Sequence, residues 1–339
     1  MRKELIWAGV IGICFGLILA FGAWRINSSL QPKTPVATPV PTPATGGSLS
    51  IALNKPENGD VVTTSTVTVS GITQSLGWLT FSGEKGDYIL QAGEDGVFSQ
   101  DIGLTSGVNQ IKITAIDSSG NQTSQNLLVV YSALFQLNAS ATPSASLNNA
   151  TSDAAIAAGV AGKVAAALNQ PKAYLGTVTD IADSTIQIKS LESQIEQIDI
   201  SGTGISVVNT KDTDNKTVKL TDIGIGDFIV AMGYMNQNSV LAAQRILVTN
   251  PVLTPEIGTS IGKVTAVSKK DLTVSDLKTG GSNTLTPDIH SDLESYSQGK
   301  STSIKISAIN AGDTVISVTD NSGTPPILRS VFDIGTPQV

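Results

Sequence analysis

Cysteine and histidine are almost absent from this sequence, which holds one of each, Cys14 and His290, among 339 residues. A single cysteine excludes an internal disulfide bond and a zinc site built from cysteine pairs. His290 lies in the polar stretch 287–294, which is typical of a solvated loop and does not indicate a Ser-His-Asp triad. No glycine-rich phosphate-binding loop is present. We therefore predict that the protein is not an enzyme and that it has no catalytic residue, cofactor site or metal site.

Charged and aromatic residues are also scarce, at 14% and 4% of the sequence. The 28 acidic residues outnumber the 21 basic ones, which gives a formal net charge of −7. A chain this acidic, with no stripe of lysine or arginine, is unsuited to a phosphate backbone, so we predict no nucleic-acid partner. The abundance of threonine, serine, asparagine, valine and isoleucine favours a mainly β fold.

Carboxylate pairs occur at Glu94/Asp95 and at Asp212/Asp214, in polar segments that are typical of turns. Asp212, Asp214 and Asn215 offer oxygen ligands for calcium, but the segment lacks the glycine and the distal glutamate of an EF-hand loop. Turn chemistry accounts for these side chains without an ion, and calcium dependence stays open at this point.

One long apolar run is present, the 20 uncharged residues Leu5–Trp24. As a helix it would span about 30 Å, the thickness of a bilayer's hydrocarbon core. A lipoprotein signal is excluded because Ile13, rather than a small residue, precedes Cys14. A cleaved signal peptide is the alternative, but its apolar region is usually shorter. We predict a transmembrane anchor over 1–25 and a single-pass cell-membrane protein whose C-terminal part is extracytoplasmic. The anchor residues include Leu5, Trp7, Phe15, Leu19 and Trp24.

A proline-rich segment follows over 26–47, with prolines at 32, 35, 39, 41 and 43. Proline fixes φ and lacks an N–H, so such segments favour an extended polyproline II conformation. The segment is predicted to be a stalk, either stiff or merely a disordered spacer.

Residues 48–132 show short alternating runs between turn signals, at the spacing of an immunoglobulin-like β-sandwich with about seven strands. Leu127–Tyr131 stands out as a continuous apolar run. Five motifs give the segment its character: Pro56-x-x-Gly59, Val67-x-Val69-x-Gly71, Asp95-Gly96-x-Phe98, Leu104-x-x-Gly107-x-Asn109-x-Ile111 and Ala115-x-Asp117-x-x-Gly120-Asn121. With these motifs the segment resembles the bacterial Ig-like domain that accompanies glucodextranases. The resemblance implies a spacer or adhesive element. The oxygen atoms of Asp95, Asp117 and Asn121 could help to bind calcium, but turn chemistry explains these residues without a metal.

A linker is predicted over 133–172, with a helix at 152–168. Ser152 and Asp153 suit the start of a helix, and Pro171 follows its end. The helix would present an apolar stripe from Ile156 to Leu168, which we expect to dock on a neighbouring domain or to self-associate.

The remaining chain contains an internal duplication with a constant offset of 86 residues. Leu175-Gly176-x-Val178 corresponds to Ile261-Gly262-x-Val264, and Ile223-x-x-Gly226-Asp227 corresponds to Ile309-x-x-Gly312-Asp313. The copies cover 173–250 and 259–335, and each is predicted to form a small β-barrel. Copy 2 departs from the pattern in its second half, where Arg329 falls in place of an alanine.

The pattern of the copies resembles small exported bacterial modules of unknown function with an OB-like barrel. OB-like barrels often bind oligonucleotides or oligosaccharides on one face. The aromatic residues that could stack on such a ligand are Tyr174, Tyr234 and Tyr296, which are our candidate binding residues.

The sequence therefore predicts a mainly β protein with an N-terminal transmembrane helix, an Ig-like β-sandwich and two tandem small β-barrels joined to it by a helical linker. The predicted function is a non-enzymatic surface or envelope protein that displays binding or spacer modules. Its expected partners are the membrane, cell-wall polysaccharide and envelope proteins. The alternative is an accessory subunit of a secretion, pilus or wall-processing assembly. A third possibility, an enzyme of glycan metabolism, rests only on the company that such Ig-like domains keep.

Overall fold

The structure is a computed structural model that describes residues 49–135, 170–212, 214–236, 238 and 240–335. Regular structure in these residues consists of 22 strands and two 3₁₀ turns of three residues each, Leu220–Asp222 and Ile306–Ala308. The predicted mainly β fold is confirmed.

The first module is a two-layer sandwich built from eight strands. They are β1 (Ala52–Lys55), β2 (Asp60–Val62), β3 (Thr66–Ile72), β4 (Trp78–Gly83), β5 (Gly86–Gln91), β6 (Val97–Gly103), β7 (Gly107–Ile116) and β8 (Gln122–Tyr131). One sheet has the order β1-β3-β6, and the other contains β2-β8-β7-β4-β5. The inner faces of both sheets supply the sandwich core, which includes Val69, Phe81, Phe98, Ile113 and Val129.

The second half of strand β8 is buried on both of its faces, which explains its continuous apolar run. Successive side chains of a strand point to opposite sides of the sheet. Leu127 and Val129 enter the sandwich core, whereas Leu128 and Val130 enter a second cluster on the outside of the sandwich. The first module therefore has an apolar outer face that other strands must cover.

The first repeat contributes seven strands. They are β9 (Pro171–Ile181), β10 (Thr185–Ser190), β11 (Ile195–Asp199), β12 (Ser206–Asn209), β13 (Lys216–Val218), β14 (Phe228–Met235) and β15 (Leu241–Thr249). They pair in the order β13-β12-β15-β11-β10-β9, and β14 pairs with both β15 and β9. Strand β9 also pairs with β2 of the first module through Asp60 and Lys172, so one twelve-stranded sheet runs through both modules.

The second repeat contributes the last seven strands. They are β16 (Ile257–Val267), β17 (Leu272–Asp276), β18 (Ser282–Leu285), β19 (Asp292–Ser297), β20 (Lys300–Ser303), β21 (Thr314–Asp320) and β22 (Ile327–Gly335). They form an open seven-stranded sheet with the order β18-β17-β16-β21-β22-β19-β20.

The internal duplication is confirmed by backbone and side-chain geometry. Strands β9 and β16 begin and end 86 residues apart, as do β15 and β22. The carboxylate of Asp227 accepts a hydrogen bond from Gly224 N at 2.8 Å. Its counterpart Asp313 accepts one from Asn310 N at the same distance. The Gly-Asp motif therefore builds the same turn before β14 and before β21.

The two repeats differ in the register of their last strand. Val230 lies opposite Leu247 in the first repeat, but its counterpart Ile316 lies opposite Phe332 rather than Asp333 in the second. A shift of one residue turns every side chain of a strand to the other face of the sheet. Phe332 consequently faces the first module.

The prediction of two tandem barrels joined by a helical linker is wrong. The first repeat shares a continuous sheet with the first module, and the second repeat is an open sheet, so the β layers stack along the chain instead of forming separate barrels. The expected helix at 152–168 lies outside the described residues, and the described part of the chain contains no helix longer than three residues. The arrangement arises because the first module has an apolar outer face that the first repeat covers, and the sequence did not reveal this contact.

The single-pass membrane location also requires correction. Among the described residues, no helix is long and apolar enough to cross a membrane, whereas a spanning helix needs about 20 apolar residues. The expected anchor residues Leu5, Trp7, Phe15, Leu19 and Trp24 lie outside the described residues, as does the stalk at 26–47.

Candidate ligand-binding cleft

The first module contacts each repeat through its own apolar cluster. Leu128 and Val130 of β8 pack with Leu175, Phe228 and Met232 of the first repeat. At the other end of the same sheet, the second repeat covers β4, β5 and β7. That cluster contains Ile89, Ile116, Trp78, Ile257, Ile261, Tyr296, Ile316, Val318 and Phe332. Burial of these side chains fixes the positions of both repeats on the first module.

A buried ion pair accompanies the contact with the first repeat. Asp60, 3% exposed, lies at the start of β2, and its carboxylate is 2.7 Å from Nζ of Lys172 on β9. Lys172 also binds Glu57 at 2.7 Å. Burial alone would lower the pKa of Lys172, but hydrogen bonds to Asp60 and Glu57 outweigh it and raise that pKa. The hydrogen bond from Lys172 lowers the pKa of Glu57.

A second buried carboxylate accompanies the contact with the second repeat. The side chain of Asp87 on β5 is 1% exposed and lies 3.1 Å from Nη2 of Arg329 on β22. Its Oδ2 accepts hydrogen bonds from Ser330 Oγ at 2.6 Å and from Arg329 Nε at 3.2 Å. Arg329, which breaks the repeat pattern in the sequence, therefore binds a carboxylate of another module.

Between the first module and the first repeat, a cleft remains open. Its floor is the outer face of the parallel pair β12 and β15, where Ser206 lies opposite Arg245 and Val208 lies opposite Leu247. The period of two along a strand places these four side chains on one face and sends Val207 and Ile246 into the core of the repeat. Its wall is formed by residues 106–108 and 131–134 of the first module.

The cleft has two adjoining chambers of about 680 and 720 Å³, which share Leu134, Ser206 and Arg245. These volumes fall within the range of about 300–1,000 Å³ of small-molecule sites. Hydroxyl and amide groups predominate among the polar lining residues. They are Ser106, Tyr131, Ser132, Thr203, Ser206, Thr210, Asn215, Thr217, Tyr234, Gln244 and Thr249. Such a surface can exchange hydrogen bonds with a polyhydroxylated ligand.

Arg245 carries the only charge among the described residues that line either chamber. Its Nη1 donates a hydrogen bond to Ser206 Oγ at 3.3 Å, and its buried Nε has no hydrogen-bond partner among the described residues. Burial lowers the pKa of its guanidinium group, which still stays protonated at any physiological pH. A fork of N–H donors is therefore directed into a polar cleft.

The three candidate tyrosines do not share a face. Tyr174 on β9 is partly buried and packs against the core of the first repeat, and this burial raises its pKa. Tyr234 on β14 is 9% exposed, lines one chamber of the cleft and lies 5.9 Å from the ring of Phe135. Tyr296 on β19 packs edge-to-face on Trp78, with ring centroids 5.1 Å apart. Only Tyr234 therefore contributes to the cleft, and Tyr296 lies at a module contact.

The acidic turn residues make local hydrogen bonds. Asp117 Oδ1 accepts hydrogen bonds from the backbone N–H groups of Ser119 and Asn121, at 2.9 and 2.8 Å. Asp95 Oδ1 accepts one from Val97 N at 3.0 Å. Within the described part of the chain, no group of three or more His, Cys, Asp or Glu side chains is placed to hold a metal ion. Turn formation thus accounts for the positions of Asp95 and Asp117.

Asp333 is a buried carboxylate whose environment opposes its charge, and we predict that replacing it will stabilise the protein. Burial raises its pKa, and the nearby charge of Asp313 adds to the effect. Because the folded state binds a proton more tightly than the unfolded state, ionised Asp333 lowers stability above its pKa. Asp333→Asn should increase the free energy of unfolding by about 1 kcal/mol at pH 8. The gain should disappear at pH values below the ordinary aspartate pKa.

A control for this prediction is Asp320→Asn on the neighbouring strand β21. A hydrogen bond with Ser322 lowers the pKa of Asp320, so its charge stabilises the folded state at neutral pH, and that stability is lost as the pH falls. In urea unfolding at pH 8, the free energy of unfolding should therefore be higher than that of the wild type in Asp333→Asn and lower in Asp320→Asn. A loss of stability in Asp333→Asn at pH 8 would contradict the destabilising role of the Asp333 charge.

Sequence reasoning missed Arg245, Asp60 and Asp87. Asp60 and Asp87 bind residues that are distant in the sequence, and Arg245 lines the cleft. No local spacing in the sequence reveals any of these roles. One signal was present for Arg245, because a single arginine interrupts the apolar strand β15 at a position where the strand turns a side chain outwards. Arg329 gave a similar signal as the break in the repeat pattern.

Comparison with known families identifies the first module. The model of glucodextranase domain B matches residues 49–132. This match confirms the Ig-like β-sandwich that the motifs of this segment predicted, and it leaves the repeats unassigned. A comparison with curated proteins finds no match to this chain.

Three solved structures show weak similarity. A tetra-tandem repeat from the extending region of a large adhesion protein is 14% identical, with 86% of this chain and 75% of that chain covered, at a TM-score of 0.21. A 1.5-MDa bacterial ice-binding adhesin is 12% identical, with 86% of this chain and 98% of that chain covered, at a TM-score of 0.19. A Drosophila Unr structure, CSD456, is 14% identical, with 77% of this chain and 98% of that chain covered, at a TM-score of 0.18. Scores this low support no conclusion about architecture or function.

Proposed function

We propose that this chain is a non-catalytic surface protein that displays β modules and binds a cell-envelope glycan in the cleft beside Arg245. The observation that carries the proposal is the cleft itself, which is lined by hydroxyl and amide groups and stays open between two modules. The match of the first module to an Ig-like domain of a carbohydrate-associated family supports it.

The fixed geometry of the modules supports a binding role. Apolar clusters and buried ion pairs hold both repeats against the first module. The walls of the cleft are therefore set before a ligand arrives, which reduces the entropy lost on binding. The same rigidity suits a spacer module.

The proposal of a non-catalytic role rests on the chemistry of the cleft. The described lining residues include no carboxylate, histidine or cysteine that could act as a general acid, base or nucleophile. His290 lies elsewhere, in an exposed turn with Asp288, and its side chain is 79% exposed. The assembly-subunit alternative depended on the anchor and on the stripe at 156–168. Both lie outside the described residues, and no described contact favours this alternative.

A reversible block of the cleft tests the proposal. Thr217 is exposed at the edge strand β13 and lines the cleft. Its counterpart in the second repeat, 86 residues later, is Ser303, which is exposed on β20. In a full-length Cys14→Ser background, Thr217→Cys and Ser303→Cys can each be labelled with a bulky pyridyl-disulfide polymer. Binding to purified cell-wall polysaccharide is then measured by co-sedimentation.

We expect labelled Thr217→Cys to lose binding by at least about tenfold, equivalent to 1.4 kcal/mol, and to regain it on reduction. Labelled Ser303→Cys should bind like the wild type, and the size of the polysaccharide should not change on incubation. Unchanged binding by labelled Thr217→Cys, or no binding by the wild type, would refute the proposed site. Shortened polysaccharide would refute the non-catalytic role.

A further inference from the structure

We infer that the cleft selects a carboxylate-bearing glycan, with Arg245 as the residue that binds the carboxylate. This inference rests on the proposed function and deepens it, since it names the chemical class of the sugar. A uronic acid is the simplest such unit, because it combines ring hydroxyls with one carboxylate.

The first argument is the state of Arg245. Arginine is rarely buried unless an acidic partner accompanies it. Arg245 is partly buried, yet no ion pair joins it to any carboxylate of the described residues, and the one hydrogen bond that its side chain makes to them is with Ser206. Its buried Nε has no hydrogen-bond partner there. A carboxylate bound in the cleft would accept hydrogen bonds from the guanidinium fork and supply the acidic partner that Arg245 lacks among the described residues.

The second argument is the charge of the cleft relative to the whole protein. The chain has a formal net charge of −7. The described lining of both chambers nevertheless contains no acidic side chain, and its one charge is the guanidinium of Arg245. This distribution favours one negative group at one place, surrounded by uncharged hydrogen-bonding groups.

The third argument comes from the duplication, which shows what the equivalent surface binds in the second repeat. Arg245 lies opposite Met232 and beside Ser206. The counterparts of these two residues, Val318 and Asp292, both pair with Ser330. Ser330 therefore occupies the place of Arg245.

In the second repeat the first module covers the surface around Ser330, and a carboxylate of that module binds there. Ser330 and the adjacent Arg329 both donate hydrogen bonds to Asp87 of the first module. The same strand position thus binds a carboxylate in the second repeat and presents the guanidinium group of Arg245 to an open cleft in the first. We conclude that the ligand of the first repeat supplies the carboxylate that Asp87 supplies in the second.

The inference is tested with a galacturonate oligosaccharide and the same oligosaccharide as its methyl ester, in which each carboxylate charge is replaced by a neutral ester group. Binding of both to the full-length chain is measured by calorimetry for the wild type, Arg245→Gln, Arg245→Lys and Lys269→Gln. Lys269 is an exposed cation in the Ser268–Asp271 turn of the second repeat, so Lys269→Gln controls for the change in net charge.

We expect the wild type to prefer the acid to the ester by at least about tenfold, as a charge-assisted bidentate contact provides. Arg245→Gln should abolish this preference, and Lys269→Gln should change the binding of neither oligosaccharide. Arg245→Lys should retain part of the preference, since it keeps the charge and loses the fork.

Other outcomes separate this inference from the proposed function. If labelled Thr217→Cys loses polysaccharide binding while the wild type shows no preference for the acid, the glycan site stands and the carboxylate inference is overturned. A preference for the acid that survives in Arg245→Gln also overturns it. If a glutamate-rich peptide binds through Arg245 and neither oligosaccharide does, the cleft binds an acidic peptide, and the glycan inference is overturned.

Discussion

Replacing Arg329 by glutamine is expected to destabilise the contact between the first module and the second repeat by about 3 kcal/mol. The Arg329 guanidinium donates to Asp87 and, at 2.8 Å, to the carbonyl oxygen of Gly83. The substitution would leave the carboxylate of Asp87, which is 1% exposed, with Ser330 as its remaining side-chain hydrogen-bond donor among the described residues. Removal of one partner from a buried ion pair costs about 3–5 kcal/mol, because the other charge stays buried without compensation.

Trp78 makes this effect measurable at the contact itself. The chain has three tryptophans, and Trp78 packs on Tyr296 of the second repeat. In a background of Trp7→Phe and Trp24→Phe, the fluorescence of Trp78 in a urea titration reports the loss of the contact. We expect Arg329→Gln to move the transition to lower urea concentrations. Since several modules are present, the transition need not coincide with unfolding of the first repeat.

Arg245→Gln is the matched control for Arg329→Gln. Both substitutions remove an arginine from the last strand of a repeat, but Arg245 has no carboxylate partner among the described residues. Its removal should leave the Trp78 transition unchanged. An apolar pair, Asp87→Leu with Arg329→Met, should recover much of the stability that Arg329→Gln loses, because no buried charge then remains. Equal transitions for Arg329→Gln and Arg245→Gln would contradict the role of the Asp87 ion pair.

The first module and the duplication could be predicted because their signals are local. Turn residues such as Gly96 and Asp117 fix tight turns within a few residues of the strands that they join. Alternation along each strand then decides which side chains enter the core. The duplication was visible because the Gly-Asp turns before β14 and β21 need the same residues in both copies.

The arrangement of the modules could not be predicted, because it depends on contacts between distant residues. The apolar run Leu127–Tyr131 indicated a buried strand, but not that the first repeat would cover its outer face. The one-residue shift of β22 has no signature in a gap-free alignment, although it turns Phe332 towards the first module. Tyr296 was chosen as a stacking residue because it is aromatic, and the same property suits it to the contact with Trp78.

The other large effect is expected at the contact between the first module and the first repeat, in the variant Lys172→Met. Methionine keeps the apolar stem of the lysine, so the substitution tests the charge. Without the ammonium group, Asp60 keeps hydrogen bonds from Gln170 Nε2 at 2.8 Å and Glu57 N at 2.9 Å, but loses its ion pair. Because Asp60 is 3% exposed, we expect a loss of about 3–5 kcal/mol in the free energy of unfolding.

Lys55→Met is the control for this variant, since Lys55 binds the same Glu57 carboxylate at 3.3 Å but is 48% exposed. An exposed pair of this kind contributes about 0.2–1 kcal/mol, so the control should remain close to the wild type. Similar losses in the two variants would show that the Asp60 ion pair does not hold the contact.

The pH dependence of stability provides a second test of the same ion pair. The lowered pKa of Glu57 gives a stabilising contribution that is present above its ordinary pKa and is lost as the pH falls through the folded-state value. The raised pKa of Lys172 gives a contribution that is present below its ordinary pKa and is lost as the pH rises through the folded-state value. Stability from this cluster should therefore decline at both extremes of pH. In Lys172→Met the alkaline decline should disappear and the acid decline should weaken, because both originate in the one ammonium group that joins the two modules.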